Sequence, residues 1–251
     1  MSSLAVGFIV LACLCAGAVL GFLIRRMLPE HHLSTDSKDA IKIGTGLIGT
    51  MGALVLGLMV ASAKGSYDAQ KAELTQMSAK IILLDRGLAH FGPETKEIRD
   101  ELKLATGRML ELLWPDADSP PSLLSVVPTA NEGMIDSILE LKPKNDSQRS
   151  LKDQMVTVAV DIAQTRWLLN QQRGSSVSGV LLVLLVFWFS LTFVSTGLLA
   201  PVNGTVVVTL FLCAVSLAGA VFLVLEFDRP FTGMIQISSD TLRQAMAQLG
   251  R

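Results

Sequence analysis

The chain has 251 residues, of which 50% are hydrophobic and 17% are charged, and its mean hydropathy is +0.50. This composition is typical of a membrane protein and argues against an ordinary soluble domain. The formal net charge of -1 leaves no basic excess to neutralise a phosphate backbone, so a nucleic-acid partner is not expected.

The first apolar run extends from about Leu4 to Ile24, which is long enough for a helix that crosses a hydrocarbon core. Val10-Leu11-Ala12-Cys13 faintly resembles a lipoprotein cleavage site. However, no basic residue precedes the run, and the run continues past Cys13 to a pair of arginines. We therefore expect an uncleaved first membrane helix.

The loop after this run contains residue types that bind divalent metals, namely Glu30, His31, His32, Asp36 and Asp39. Adjacent histidines on a helix point about 100° apart and make a poor pair of ligands. A solvated loop at the membrane surface is the favoured interpretation. We predict no metal site and no cofactor.

The second run, Ile43 to Ala63, carries small side chains at every fourth position: Thr45, Gly49, Ala53, Gly57 and Ala61. Such a stripe allows another helix to approach closely, either within one subunit or from a neighbouring subunit. In the second case a set of larger apolar side chains would face the axis of a homo-oligomer and form a constriction that gates by dewetting. These predicted pore-facing residues are Leu47, Met51, Leu54 and Leu58, with Gly49, Ala53 and Gly57 as packing positions. Spacing alone does not distinguish the two cases.

Residues 64–176 carry most of the charged side chains and form the predicted water-exposed domain. Apolar residues on one face predict that the second helix continues from Tyr67 to Phe91 and stops at Gly92-Pro93. Two further amphipathic helices are indicated by spacings of three and four. One contains Ile98, Leu102, Ala105, Met109 and Leu112; the other contains Leu151, Met155, Val158, Ile162, Thr165 and Leu169.

Between these two helices, prolines predict a loop from Trp114 to Thr129, and a short helix is expected from about Asn131 to Leu141. The last amphipathic helix leads through Arg173-Gly174 towards the third apolar run. No alternating strand pattern is visible, so the exposed domain is predicted to be helical.

The third and fourth runs, Val177–Leu199 and Thr205–Leu225, are separated by the turn-forming link Pro201-Val202-Asn203-Gly204, which predicts a hairpin. The four runs contain no Asp, Glu, Lys, Arg or His, so the proton relays of secondary transporters are missing. No catalytic motif was found either, and an enzyme is not expected.

The predicted fold class is thus an all-α membrane protein with four transmembrane helices and a helical extramembrane domain between the second and third. The expected division places the first two membrane helices in residues 1–63 and the exposed domain in 64–176. The membrane hairpin takes 177–225, and a tail with a short helix takes 226–251.

Two short motifs carry a family resemblance. Ser66-Tyr67-Asp68 follows the second run, and Glu226-Phe227-Asp228-Arg229-Pro230-Phe231-Thr232-Gly233 follows the fourth. With Leu28–Leu33 included, the whole chain resembles a bacterial bestrophin-like family usually labelled as a domain of unknown function, and more distantly the bestrophins. The resemblance implies a pentameric ion channel with cytoplasmic termini and helical domain. It also implies a narrow apolar neck on the second membrane helix, where Leu54 and Leu58 lie.

The sequence also departs from the bestrophin pattern. Ala69-Gln70-Lys71 replaces the aromatic and basic residues that usually follow the triplet, and no acidic run follows Gly233. A bestrophin-style calcium clasp is therefore not expected. Conservation of the fold without conduction stays open, because fold does not fix function.

Positive charges favour a cytoplasmic central domain. The first loop holds four basic residues, Arg25, Arg26, Lys38 and Lys42, against seven near the other ends of the runs: Lys64, Lys71, Lys80, Arg166, Arg173, Arg229 and Arg243. The leading hypothesis is a homo-oligomeric, bestrophin-like ion channel in the lipid bilayer of a bacterial inner membrane. The alternative is a non-conducting scaffold or sensor that binds a cytoplasmic partner.

Overall fold

The computed structural model describes residues 2–29, 34–114, 130–171 and 178–250. Within these ranges the chain is helical and contains no β-strand, as the sequence predicts. The helices are α1 (Ser3–Met27), α2 (Thr35–Phe91), α3 (Lys96–Leu113), α4 (Ala130–Glu140), α5 (Asp146–Gln171), α6 (Gly179–Leu199), α7 (Gly204–Phe227) and α8 (Asp240–Gln248).

Helices α1, α2, α6 and α7 are long and apolar enough to cross a membrane. Three of them contain a whole apolar run identified in the sequence, and α6 covers the third run from Gly179 onward, which confirms four long apolar helices at the predicted places. The predicted short helix from Asn131 to Leu141 corresponds to α4. The predicted loop that ends at Thr129 and the link through Arg173-Gly174 lie outside the described residues, apart from Trp114 at the start of the loop.

The chain divides into two compact units. The first comprises Met1–Tyr67, Ser175–Arg229 and Gly233–Ile235, and the second comprises Asp68–Gly174, Pro230–Thr232 and Gln236–Arg251. Helix α2 contributes its residues up to Tyr67 to the first unit and its remaining residues to the second. The four-part division proposed from the sequence stays a prediction.

In the first unit, α1 packs against both α6 and α7. Its approach to α6 is close because glycines leave room for the facing backbone. A Cβ added to Gly21 would fall on the carbonyl oxygen of Val194, and one added to Gly197 would fall on the carbonyl oxygen of Ala18. The hydrophobic core of this unit contains buried side chains from all four long helices, including Val10, Leu14, Met59, Ala63, Leu185, Phe189, Ala214 and Val221.

Arg25, near the end of α1, closes the C-terminus of α6. Its guanidinium donates to the carbonyl oxygen of Leu199 at 3.2 Å and also to that of Ala200. A cation at this position satisfies carbonyl groups that have no partner within their own helix and interacts favourably with the helix dipole. Arg25 therefore stabilises the α1–α6 pair.

In the second unit, the predicted apolar faces form the core. The α2 residues Leu74, Ile81, Leu84 and Leu88 are all buried. On the predicted amphipathic helices, the buried residues are Ile98, Leu102 and Met109 of α3 and Met155, Ile162 and Leu169 of α5. The remaining predicted apolar positions of these two helices are half-buried.

Helix α2 stops where the sequence predicts. Gly92 has φ 145°, a value that side chains rarely allow, and the 3₁₀ turn Pro93–Thr95 follows it. The Thr95 hydroxyl donates to the Leu88 carbonyl oxygen at 2.6 Å and lies 2.8 Å from that of Gly92. The end of the helix is thus closed by its own following turn.

An ion pair between Arg99 and the buried Asp85 lies in the second unit. The Asp85 side chain is 1% exposed, and its two carboxylate oxygens accept hydrogen bonds from Arg99 Nε at 2.8 Å and from a terminal guanidinium nitrogen at 3.1 Å. The Gly250 amide also donates to this carboxylate, at 3.4 Å. The hydrogen bond to Asp85 raises the pKa of Arg99 above its ordinary value.

Candidate functional site

The predicted pore-facing residues share one exposed face of α2. Spacings of four, three and four residues place Leu47, Met51, Leu54 and Leu58 on the same side of a helix. All four side chains are exposed, and those of Leu54 and Leu58 are 70% exposed. The structure therefore brings these residues together as one apolar surface that the described residues of the subunit leave exposed.

The opposite face of the same segment packs into the core of the first unit. Met59 and Ala63 are buried. A Cβ added to Gly52 would lie 2.9 Å from the ring of Phe189, so glycine at this position lets the ring approach the helix. Gly52 was not singled out from the sequence, although a glycine within an apolar helix is a signal of such close approach.

The predicted packing stripe is not covered by the described part of the subunit. A Cβ added to Gly49 or Gly57 would meet no neighbouring atom within 4 Å among the described residues, and Ala53 is exposed. Packing of these residues within their own subunit, one of the two alternatives raised by the sequence, is therefore not observed in those ranges. Packing against a neighbouring subunit stays a prediction.

The motif at the end of the second apolar run forms a contact between α2 and α7. The Tyr67 and Phe227 rings meet edge to face, with centroids 5.5 Å apart. The Lys64 ammonium lies 5.3 Å from the Tyr67 centroid and 5.6 Å from the Phe227 centroid, which is within cation–π range. Ser66 and Asp68 flank this contact and make interactions of their own.

The motif after the fourth run starts with a buried carboxylate. Glu226 is 3% exposed, and its Oε2 accepts hydrogen bonds from the backbone amides of Met234 and Ile235, the latter at 3.2 Å. The sequence analysis quoted Glu226 as part of the motif but gave it no role. The available signal was a single acidic residue in the last turn of an otherwise uncharged helix.

Pro230, Phe231 and Thr232 of this motif belong to the second unit. The Phe231 ring meets the Trp114 ring edge to face at 5.5 Å, and Trp114 Nε1 donates to the Ile237 carbonyl oxygen at 2.9 Å. The Pro230 carbonyl oxygen accepts from the Ile237 amide at 2.8 Å. Asp228 and Arg229, which precede Pro230, both have interaction partners.

The metal-binding alternative rests on few described residues. Glu30, His31 and His32 lie outside the described residues. Asp39 is within them and pairs with Lys42 at 3.1 Å. Across residues 2–29, 34–114, 130–171 and 178–250, no group of three or more potential metal-ligating side chains was found.

Comparisons with known proteins connect this arrangement to a family. No curated protein matched the sequence. The structure is similar to crystal structures of two single-substitution variants of a bacterial bestrophin homologue from Klebsiella pneumoniae. For one variant the TM-score is 0.61 at 13% identity, with 96% of each chain covered; for the other the TM-score is 0.57 at 11% identity, with 94% of this chain and 97% of that chain covered.

At such low identity, these likenesses establish the fold and leave the roles of individual residues open. A family model described as a Bestrophin-like domain matches residues 12–242, nearly the whole chain. This match agrees with the resemblance carried by the two short motifs. The chain therefore belongs to the bestrophin-like family.

Proposed function

We propose that the protein is a homo-oligomeric ion channel of a bacterial inner membrane, with an apolar neck on α2 formed by Leu47, Met51, Leu54 and Leu58. We call the exposed face of α2 that carries these four residues the leucine face. Its exposure among the described residues, on a different side of α2 from Met59 and Ala63, is the observation that carries the proposal. In a ring of subunits this face would surround the axis. A narrow ring of leucines excludes water and therefore acts as a hydrophobic gate.

The composition of α2 supports a position inside an oligomer. The run Ile43–Ala63 has no Phe, Trp or Tyr, whereas each of the other three apolar runs has at least two. Small residues are enriched where membrane helices meet each other. The five glycines of this run therefore favour helix contacts for α2.

Three faces of α2 suit three different neighbours. Residues around Met59 and Ala63 pack within the subunit, the leucine face is assigned to the axis, and the stripe of Gly49, Ala53 and Gly57 is assigned to an adjacent copy. Contacts between different surfaces of identical subunits close into a ring when the rotation allows it. A pentamer is proposed because the family resemblance implies that number.

The experiment that tests the neck is ion flux through proteoliposomes containing the full-length protein. We expect Leu54→Ala and Leu58→Ala to raise flux above that of the parent, because each removes apolar side-chain volume from the constriction. Leu212→Ala is the matched control, since Leu212 on α7 is 60% exposed and is assigned to lipid. The assignment of the pore face would be wrong if both α2 variants conducted like the parent.

A second candidate function is a non-conducting scaffold or sensor that binds a cytoplasmic partner. The observation in its favour is the departure from the bestrophin pattern at Ala69-Gln70-Lys71 and after Gly233. Absence of flux from the parent and from both widened variants, in vesicles shown to contain the protein, would favour this candidate.

A further inference from the structure

Glu226 closes a loop immediately after the fourth apolar helix. Its carboxylate is buried in the last turn of α7 and accepts hydrogen bonds from two successive amides, those of Met234 and Ile235. A carboxylate that accepts backbone N–H groups forms charge-assisted hydrogen bonds, which are stronger than bonds between neutral groups. The chain from Arg229 to Ile235 is thereby tied back to the end of the helix.

Gly233 is the residue that lets this loop close. A Cβ at this position would lie 2.5 Å from Glu226 Oε2 and 3.2 Å from the Arg229 carbonyl oxygen. The Gly233 amide donates to that same Arg229 carbonyl at 3.2 Å. A side chain would therefore push the carboxylate away from the amides that it binds. We call the Glu226 carboxylate with the amides of Met234 and Ile235 the clasp; the name does not refer to the calcium clasp of bestrophins.

The residue next to the clasp supports α2. Phe227 directly follows Glu226, and its ring contacts the Tyr67 ring and the Lys64 ammonium. Lys64 lies six residues after Leu58, which is about 9 Å along the helix. All these contacts lie within the first unit. The clasp therefore fixes the end of α7, against which the α2 segment around Lys64 and Tyr67 packs.

We propose that Glu226 is a positioning residue for α2, and that it acts through the clasp and Phe227 rather than through a bound ligand. The clasp fixes the backbone at the end of α7, Phe227 presents its ring from that fixed backbone, and α2 is held by Lys64 and Tyr67. The step from α2 to conduction rests on the proposed function, whereas the clasp itself does not.

The clasp is tested by hydrogen–deuterium exchange on the full-length protein in nanodiscs. We expect the Met234 and Ile235 amides to exchange about tenfold faster in Glu226→Gln, because the bonds lose their charge assistance. Gly233→Ala should give the same local loss of protection while it keeps the carboxylate. Peptides from α1 and α6 in the same sample report whether each variant is folded.

Matched controls separate the clasp from general effects. Glu140→Gln removes an exposed carboxylate at the end of α4, and Gly219→Ala adds a methyl group to α7 where no described atom lies within 4 Å. Neither should change exchange at Met234 and Ile235. Unchanged exchange at these two amides in both folded clasp variants would overturn the clasp.

The positioning role is tested by flux with the same variants and with Phe227→Leu, which removes the ring and keeps an apolar side chain. We expect Glu226→Gln, Gly233→Ala and Phe227→Leu to shift flux in one common direction. Phe211→Leu, at an exposed phenylalanine of the same helix, should leave flux at the parental level. Loss of amide protection with parental flux would overturn the positioning role, whereas a parent that does not conduct would overturn the proposed function and leave the exchange result to decide the clasp.

Discussion

The buried carboxylate of Asp85 depends on Arg99 for its charge balance. Both carboxylate oxygens are bound by the guanidinium, and only 1% of the Asp85 side chain is exposed. We predict that Arg99→Met lowers the free energy of unfolding by about 3 kcal/mol, because it leaves a charge buried without its partner. Denaturant titration of the purified protein measures this change.

The same pair predicts a simple pH dependence. The hydrogen bond to Asp85 raises the pKa of Arg99 above its ordinary value. The stabilisation that the ion pair contributes is therefore present at pH values below the ordinary pKa of arginine. It is lost only as the pH rises through the higher pKa of Arg99 in the folded state.

The control for Arg99→Met is Lys144→Met, which breaks an exposed pair with Glu94 and should change the free energy of unfolding little. Equal losses in the two variants would contradict the account of Asp85.

The residues of these pairs show where sequence patterns stop being informative. Apolar spacing predicts that Leu84 and Leu88 are buried, but it does not predict that the adjacent Asp85 is buried as well. Its partner is fourteen residues away on another helix. Glu226 is harder still to assign, because its partners are backbone amides, which every non-proline residue carries.

Glycines allow the backbones of α1 and α6 to approach each other closely. Gly21→Ala would place a methyl group on the carbonyl oxygen of Val194. We predict that this variant lowers the free energy of unfolding by about 2 kcal/mol, because the two helices must separate to accommodate the methyl group. Thermal unfolding in detergent compares this variant with Gly219→Ala, whose methyl group meets no described atom within 4 Å. A parental midpoint for Gly21→Ala would contradict this packing.

The long helices could be predicted because each obeys a strong physical constraint. A helix that crosses a bilayer needs a long run without charges, and a helix that leaves the bilayer needs an apolar stripe of period 3.6. Helix α2 satisfies first one constraint and then the other without a break, so its continuation to Phe91 was predicted. The contacts of its small-residue stripe could not be predicted, because the same spacing suits a contact inside a subunit or between subunits.

The distribution of basic residues predicts the orientation of the molecule in the membrane. Seven Lys and Arg residues near the ends of the apolar runs favour a cytoplasmic central domain, against four in the first loop. We predict that a reporter enzyme active only outside the cytoplasm stays inactive when fused to the C-terminus, and becomes active when fused within the first loop. The reverse pattern would contradict the proposed orientation.

The family and the fold are visible in the sequence, whereas the neck is an inference about an assembly. Two short motifs and the order of the helices were sufficient for the resemblance, and the family model extends it over residues 12–242. The role of Leu54 and Leu58 depends on what covers them. An exposed leucine looks the same in one chain whether lipid, water or another subunit lies against it.

The proposed channel requires identical subunits that form a closed ring with the leucine face of α2 towards the axis. The subunit number of the full-length protein in nanodiscs, measured by native mass spectrometry, tests this requirement. We predict a single closed assembly of five subunits. A monomer or a dimer would contradict it, because neither can surround an axis with a ring of α2 helices.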